Sequence, residues 1–155
     1  MTGVEMRVQA TGSGEICRVV LATLPSWFGI PEANDDYVTM AETHATVVAS
    51  TRGHDVGLTT ITRHFPLAAE VHLMAVMPEH HRRGIGRAML DCAEKFLAAD
   101  GVRFLQVKTL SSARPDEGYD KTRAFYLAYG FVPLEEFPLL WDPANPALQL
   151  IKTVT

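Results

Sequence analysis

The chain has 155 residues, of which 47% are apolar and 21% charged, and its formal net charge is −4 at pH 7. These values predict one soluble domain over residues 1–155, large enough to bury about two-thirds of its unfolded surface. They argue against collagen-like, disordered or disulfide-stapled chains, and the acidic balance argues against a dedicated nucleic-acid binder. Cys17 and Cys92 each sit inside an apolar pattern and read as reduced core thiols. No apolar run approaches the roughly 18 residues of a membrane span. Met1 to Ala10 lacks a signal-peptide core. The expectation is therefore a cytoplasmic protein with no membrane or nucleic-acid partner.

Taken in order, Met6 to Ala10 alternates as a first strand, and Ile16 to Leu24 reads as a helix stopped at Pro25. Pro31 opens a second helix running to Glu42. Ala45 to Thr51 and Val56 to His64 are strands joined by the turn at residues 52–55, an antiparallel hairpin. Glu70 to Met77 is a third strand of the same meander. A basic turn, His80-His81-Arg82-Arg83-Gly84-Ile85-Gly86, leads into the clearest helix of the chain. Ile85, Met89, Cys92, Ala93, Phe96 and Leu97 fall on its apolar face, and Arg87, Asp91, Glu94 and Lys95 on the other. Asp100-Gly101 closes it. Phe104 to Thr109 is a strand, Tyr119 to Tyr129 a helix closed by Gly130, and Phe131 to Phe137 a strand. Pro138 to Pro146 reads as a proline-rich loop and Leu148 to Val154 as a last strand. The order is mixed α and β.

The chemistry concentrates where the strand ending at Met77 meets the basic turn and helix. The first turn of a helix has backbone N–H groups without intrahelical partners and a partial positive charge. Gly84 and Gly86 let a phosphate approach those amides, and Arg82, Arg83 and Arg87 add positive charge. The turn lacks the Lys-Ser/Thr pair of a P-loop and the third glycine of a dinucleotide fingerprint. Adjacent His80 and His81 do not share a helical face, and zinc-like ligand spacing is absent, so no metal is expected.

Pro78 to Leu90 resembles the acyl-CoA-binding motif of the GNAT superfamily of N-acetyltransferases, Gln/Arg-x-x-Gly-x-Gly/Ala. Gly84 and Gly86 match it, and His81 stands at the Gln/Arg position. Ala124-Phe125-Tyr126-Leu127-Ala128-Tyr129-Gly130-Phe131 resembles the family's Phe-Tyr-x-x-x-Gly-Phe segment, with Tyr119 at the place of a frequent Asn. The two motifs come in family order and cover Glu70 to Phe131.

The resemblance implies an α+β fold: a mixed, mostly antiparallel, twisted sheet with about four helices and a central strand–turn–helix pyrophosphate site. It implies acetyl-CoA as cosubstrate, no metal, and a small-molecule or peptide amine as acceptor, and it leaves a homodimer open. The strands ending at Met77 and starting near Phe104 would splay. The pantetheine arm would then pair with the main chain of Met74 and Val76, while His81, Arg82, Arg83, Gly84, Ile85, Gly86 and Arg87 surround the pyrophosphate. Tyr126 matches the tyrosine near the CoA sulfur and is the candidate acid for the leaving thiolate. Glu70 and His72 alternate on one strand face and are the candidate bases. Trp27, Phe28 and Trp141 are candidates for an apolar acceptor wall. Two other readings remain open, a non-catalytic acyl-CoA-sensing module and a nucleotide-binding α/β domain.

Overall fold

The computed structural model describes residues 3–154. Among these residues the elements run β1 (Val4–Gln9), α1 (Gly14–Ala22), α2 (Pro31–Thr43), β2 (Thr46–Thr51), β3 (His54–Phe65), β4 (Ala68–Val76), α3 (Ile85–Ala99), β5 (Phe104–Leu110), α4 (Glu117–Tyr129), β6 (Val132–Asp142) and β7 (Asn145–Thr153), with a 3₁₀ turn at Pro78–His80 before α3. The strands form one sheet in the order β1-β2-β3-β4-β5-β7-β6. Every pairing is antiparallel except β4 with β5. This is the mixed, mostly antiparallel architecture with four α-helices that the family resemblance implied.

Two apolar layers sandwich the sheet. Ile85, Met89, Leu90, Ala93 and Leu97 of α3 and Tyr126 and Tyr129 of α4 pack on one face. Cys17, Val20 and Leu21 of α1, Leu24 just after it and Ala41 of α2 pack on the other. Both thiols are free and both are pushed up by burial, Cys17 to about 11.

Three expectations are corrected. Pro138 to Pro146 is not a loop: β6 runs on to Asp142 and β7 begins at Asn145. β6 is an edge strand, where proline removes no ladder hydrogen bond from a neighbour, and the register slips between Phe137 and Asp142. Phe96, assigned to the buried face of α3, is exposed. Glu94, assigned to the solvated face, is buried because α3 packs beside α4 and β7. There it accepts from the Tyr129 hydroxyl at 2.6 Å and from Lys152 Nζ at 3.0 Å.

The sheet is weakest at its centre. β4 and β5 pair only from Ala68↔Phe104 to Val71↔Val107. At the end of that short ladder the β3–β4 register slips, with Thr60 opposite Leu73 and Ile61 opposite Val71, so His72 is an extra residue on β4. Such a bulge bends a strand and increases its twist. Here it also reverses the facing: Ala69 and Val71 join the α3/α4 core, whereas Leu73 and Ala75 join the α1/α2 core. Beyond the bulge, residues 72–76 of β4 have no β5 partner, while Lys108 to Leu110 pair with β7.

Candidate active site

The split between β4 and β5 leaves main-chain groups directed into it. Met77 N–H donates to the Val56 carbonyl at 2.9 Å, which makes Val56 and Met77 a bonded antiparallel pair. In such a ladder bonded and non-bonded pairs alternate. The groups of Met74 and Val76 therefore point away from β3 and toward the split. His81 Nε2 lies 2.6 Å from the Val76 carbonyl and occupies that acceptor.

The basic turn sits at the top of the split. Gly84 is the N-cap of α3 with φ +75°, a left-handed conformation that glycine adopts without strain. Arg82 takes φ +62° two residues earlier. α3 has neither a side-chain cap nor an acidic residue in its first turn, and its backbone ladder begins with Ala88 N–H to the Gly84 carbonyl at 3.0 Å. The amides of Ile85, Gly86 and Arg87 precede that first bond and suit an anion. The side chains divide the work. Ile85 is 1% exposed and anchors the turn in the core. Gly86 owes its identity to packing: a Cβ there would meet the Phe125 ring at 3.1 Å. Arg82 and Arg83 are exposed. Arg87 lies over the Tyr129 ring, 5.3 Å from its centroid, and reaches toward the Ala128 carbonyl. Of the three arginines it is the one already engaged at the C-terminus of α4.

Tyr126, on α4, is buried among Phe125 and Phe131, with ring centroids 5.4 Å and 5.5 Å away. Burial raises its phenol well above the ordinary value, and the nearby phenols of Tyr119 and Tyr37 raise it further. Tyr37 belongs to α2, which packs on the opposite face of the sheet.

The two candidate bases have different surroundings. Glu70 is buried and engaged: Lys108 Nζ donates to its oxygens at 3.2 and 3.3 Å, and His64 Nε2 lies 2.6 Å from Oε1. His72 is the bulge residue. Its Nε2 is buried without a hydrogen-bond partner and lies 3.7 Å from an Asp36 carboxylate oxygen. Burial lowers its pKa, an effect that Asp36 and Glu70 oppose. At neutral pH this imidazole is therefore uncharged, with a ring nitrogen to offer.

Trp27 and Phe28 border the site, and Trp141 is exposed in the slipped stretch of β6. Two residues that the sequence did not nominate stand beside the candidates. The Tyr37 ring lies 5.5 Å from His72. Tyr119, noted only as a departure from a motif, donates its hydroxyl to the Trp27 carbonyl at 3.0 Å, and burial pushes its phenol up to about 12. Tyr119 is two turns before Tyr126 on α4, a spacing that places both toward the split.

Comparison with known proteins agrees with this geometry. The acetyltransferase (GNAT) domain family matches residues 42–133. An uncharacterised N-acetyltransferase of Chlorobaculum tepidum is 35% identical over 65 residues, a stretch that spans 42% of each chain. The structure of a GNAT-family protein from Desulfovibrio desulfuricans superposes with a TM-score of 0.84 at 20% identity, covering 98% of this chain and 99% of that one. A GNAT-family acetyltransferase from Elizabethkingia anophelis, solved with acetyl-CoA bound, superposes with a TM-score of 0.74 at 14% identity, covering 99% of each chain. With a sheet split beside a bare helix N-terminus, and a family match over more than half its length, the chain belongs to the GNAT family of acetyltransferases.

Proposed function

We propose that the protein transfers an acetyl group from acetyl-CoA to a primary amine, by direct attack with both substrates bound. One observation carries the reading: the unpaired edge of β4 opens beside the uncapped N-terminus of α3, with the Tyr126 phenol buried alongside. The amides of Ile85, Gly86 and Arg87 would hold the pyrophosphate, joined by Arg82 and Arg83. The main-chain groups of Met74 and Val76 would pair with the pantetheine once His81 releases the Val76 carbonyl. Holding both substrates in line supplies proximity and needs no covalent enzyme intermediate.

His72 is the proposed base. Its imidazole is neutral at pH 7, and Asp36 stabilises the imidazolium formed when the attacking nitrogen gives up its proton. Glu70 is assigned a positioning role, because its oxygens are engaged by Lys108 and His64. Tyr126 keeps its proton at working pH and presents it as charge develops on the leaving sulfur. Its raised pKa favours hydrogen-bond donation over early proton loss.

Calorimetric titration with acetyl-CoA, with ATP and NAD as controls, tests the reading. Micromolar binding of acetyl-CoA alone is expected. Absence of binding by a folded sample would overturn the cradle and the catalytic assignments together.

A further inference from the structure

An arc of half-buried rings borders the split on its α1/α2 side. Phe28 meets Tyr37 edge-on at 5.7 Å between centroids, and Tyr37 meets His72 at 5.5 Å. Trp27 meets His81 edge-on at 6.0 Å and carries the Tyr119 hydroxyl on its carbonyl. The indole of Trp27 also fills the space that a Cβ at Gly118 would need, 3.1 Å away. The α1–α2 connection, α2, β4 and α4 thus converge, each contributing a ring. Phe28, Tyr37, His72, Trp27 and Tyr119 all keep part of their surface open, unlike the sealed rings of Tyr126 and Phe131.

At the His72 end of this arc the exposed charge is acidic, while Arg114 lies near Tyr119 at the other end. Asp36 is largely exposed and lies next to His72. Lys108, the neighbouring cation, is held by Glu70. A protonated amine arriving from water is drawn to Asp36 and to the ring faces. The body attached to that amine then lies against aromatic surface, which rewards a planar apolar group through offset and edge contacts. A polyhydroxylated or polycationic body would lose its water hydrogen bonds there and find few polar partners in return.

We infer that the acceptor is a primary amine carried on an aromatic body, in chemical class an arylalkylamine. The inference rests on the acetyltransferase reading and adds the substrate class to it. The test measures thiol release from acetyl-CoA with a panel of amines: 2-phenylethylamine, tryptamine, n-propylamine, spermidine, kanamycin and a short peptide with a free N-terminus. Binding of acetyl-CoA is measured separately by calorimetry. The expected result is a kcat/KM for the two arylalkylamines roughly ten- to hundredfold above that for n-propylamine, the value of burying one ring. Phe28→Leu then raises KM for 2-phenylethylamine severalfold while the acetyl-CoA Kd stays within twofold. Equal turnover of propylamine and phenylethylamine, a preference for spermidine, kanamycin or the peptide, or acetyl-CoA binding without turnover of either arylalkylamine overturns the substrate class. Failure to bind acetyl-CoA overturns the underlying reading instead, so the two failures are distinguishable.

Discussion

α3 and α4 lie side by side on one face of the sheet, and their N-termini are built in opposite ways. Asp116 caps α4, its Oδ1 accepting from Tyr119 N–H at 3.0 Å, and Glu117 and Asp120 complete an acidic first turn. α3 starts from a left-handed glycine, with no capping side chain and no acid in its first turn. A side-chain cap contributes about 1 kcal/mol. α4 takes that contribution from its own sequence, whereas α3 forgoes it and keeps its donors free. The contrast separates a helix end that serves the fold from one whose donors are left open, the end where the proposed function places the pyrophosphate.

The strongest way to break the contrast is to make α3 resemble α4. Gly84→Asp puts a carboxylate where the pyrophosphate would lie and is expected to weaken acetyl-CoA binding by about a hundredfold or more in calorimetry. Gly84→Asn tolerates the left-handed backbone without the charge and is expected to retain most of the affinity. Comparable losses in both would mean that backbone shape, not charge, sets the site.

Tyr126→Phe is expected to lower kcat by roughly a hundredfold at unchanged acetyl-CoA KM, measured by thiol release with a turned-over amine. An unchanged kcat would remove Tyr126 from the chemistry. His72→Gln is expected to lower kcat/KM tenfold or more and to abolish an acid limb in its pH profile. Because burial depresses the His72 pKa, that limb lies below the ordinary histidine value of 6.5. The stability linkage has the same sign. The neutral ring is favoured by folding, so its contribution is present above pH 6.5 and is lost as pH falls through the lowered folded value. A limb that persists in His72→Gln assigns it to another group.

The smallest effect belongs to α4. Asp116→Ala removes a cap and is expected to lower Tm by about 2–4 °C in a thermal melt, leaving acetyl-CoA affinity within twofold. A large loss of affinity would show that the two helix ends are coupled, through Arg87 on Tyr129 or through Tyr119 on Trp27.

Most of the fold was legible because its signals are local. Periodicity marked α3, Pro31 opened α2, and glycines closed α3 and α4. The glycine turn was legible for the same reason. What escaped depends on partners distant in sequence. Glu94 is polar yet buried, because Tyr129 and Lys152 come from elements far along the chain. Glu70 read as a candidate base, and the Lys108 that engages it comes from β5, far along the chain. The bulge at His72 leaves no mark in an alternating pattern, because it is a mismatch between two strands. β6 hid behind its prolines, which an edge position tolerates. Tyr37 and Tyr119 gain meaning only when α2 and α4 meet the split from opposite faces.

The short β4–β5 ladder also bears on how the molecule assembles. Four rungs of parallel pairing join the meander β1–β4 to the ribbon β5–β7–β6, and the whole of α3 intervenes in sequence. Parallel pairing is somewhat weaker per residue than antiparallel, and its loop must close before any rung forms. Each side of that seam, by contrast, is knit by antiparallel ladders, with contiguous hairpins at β2–β3–β4 and β6–β7. Docking of the two halves should therefore set the pace of folding.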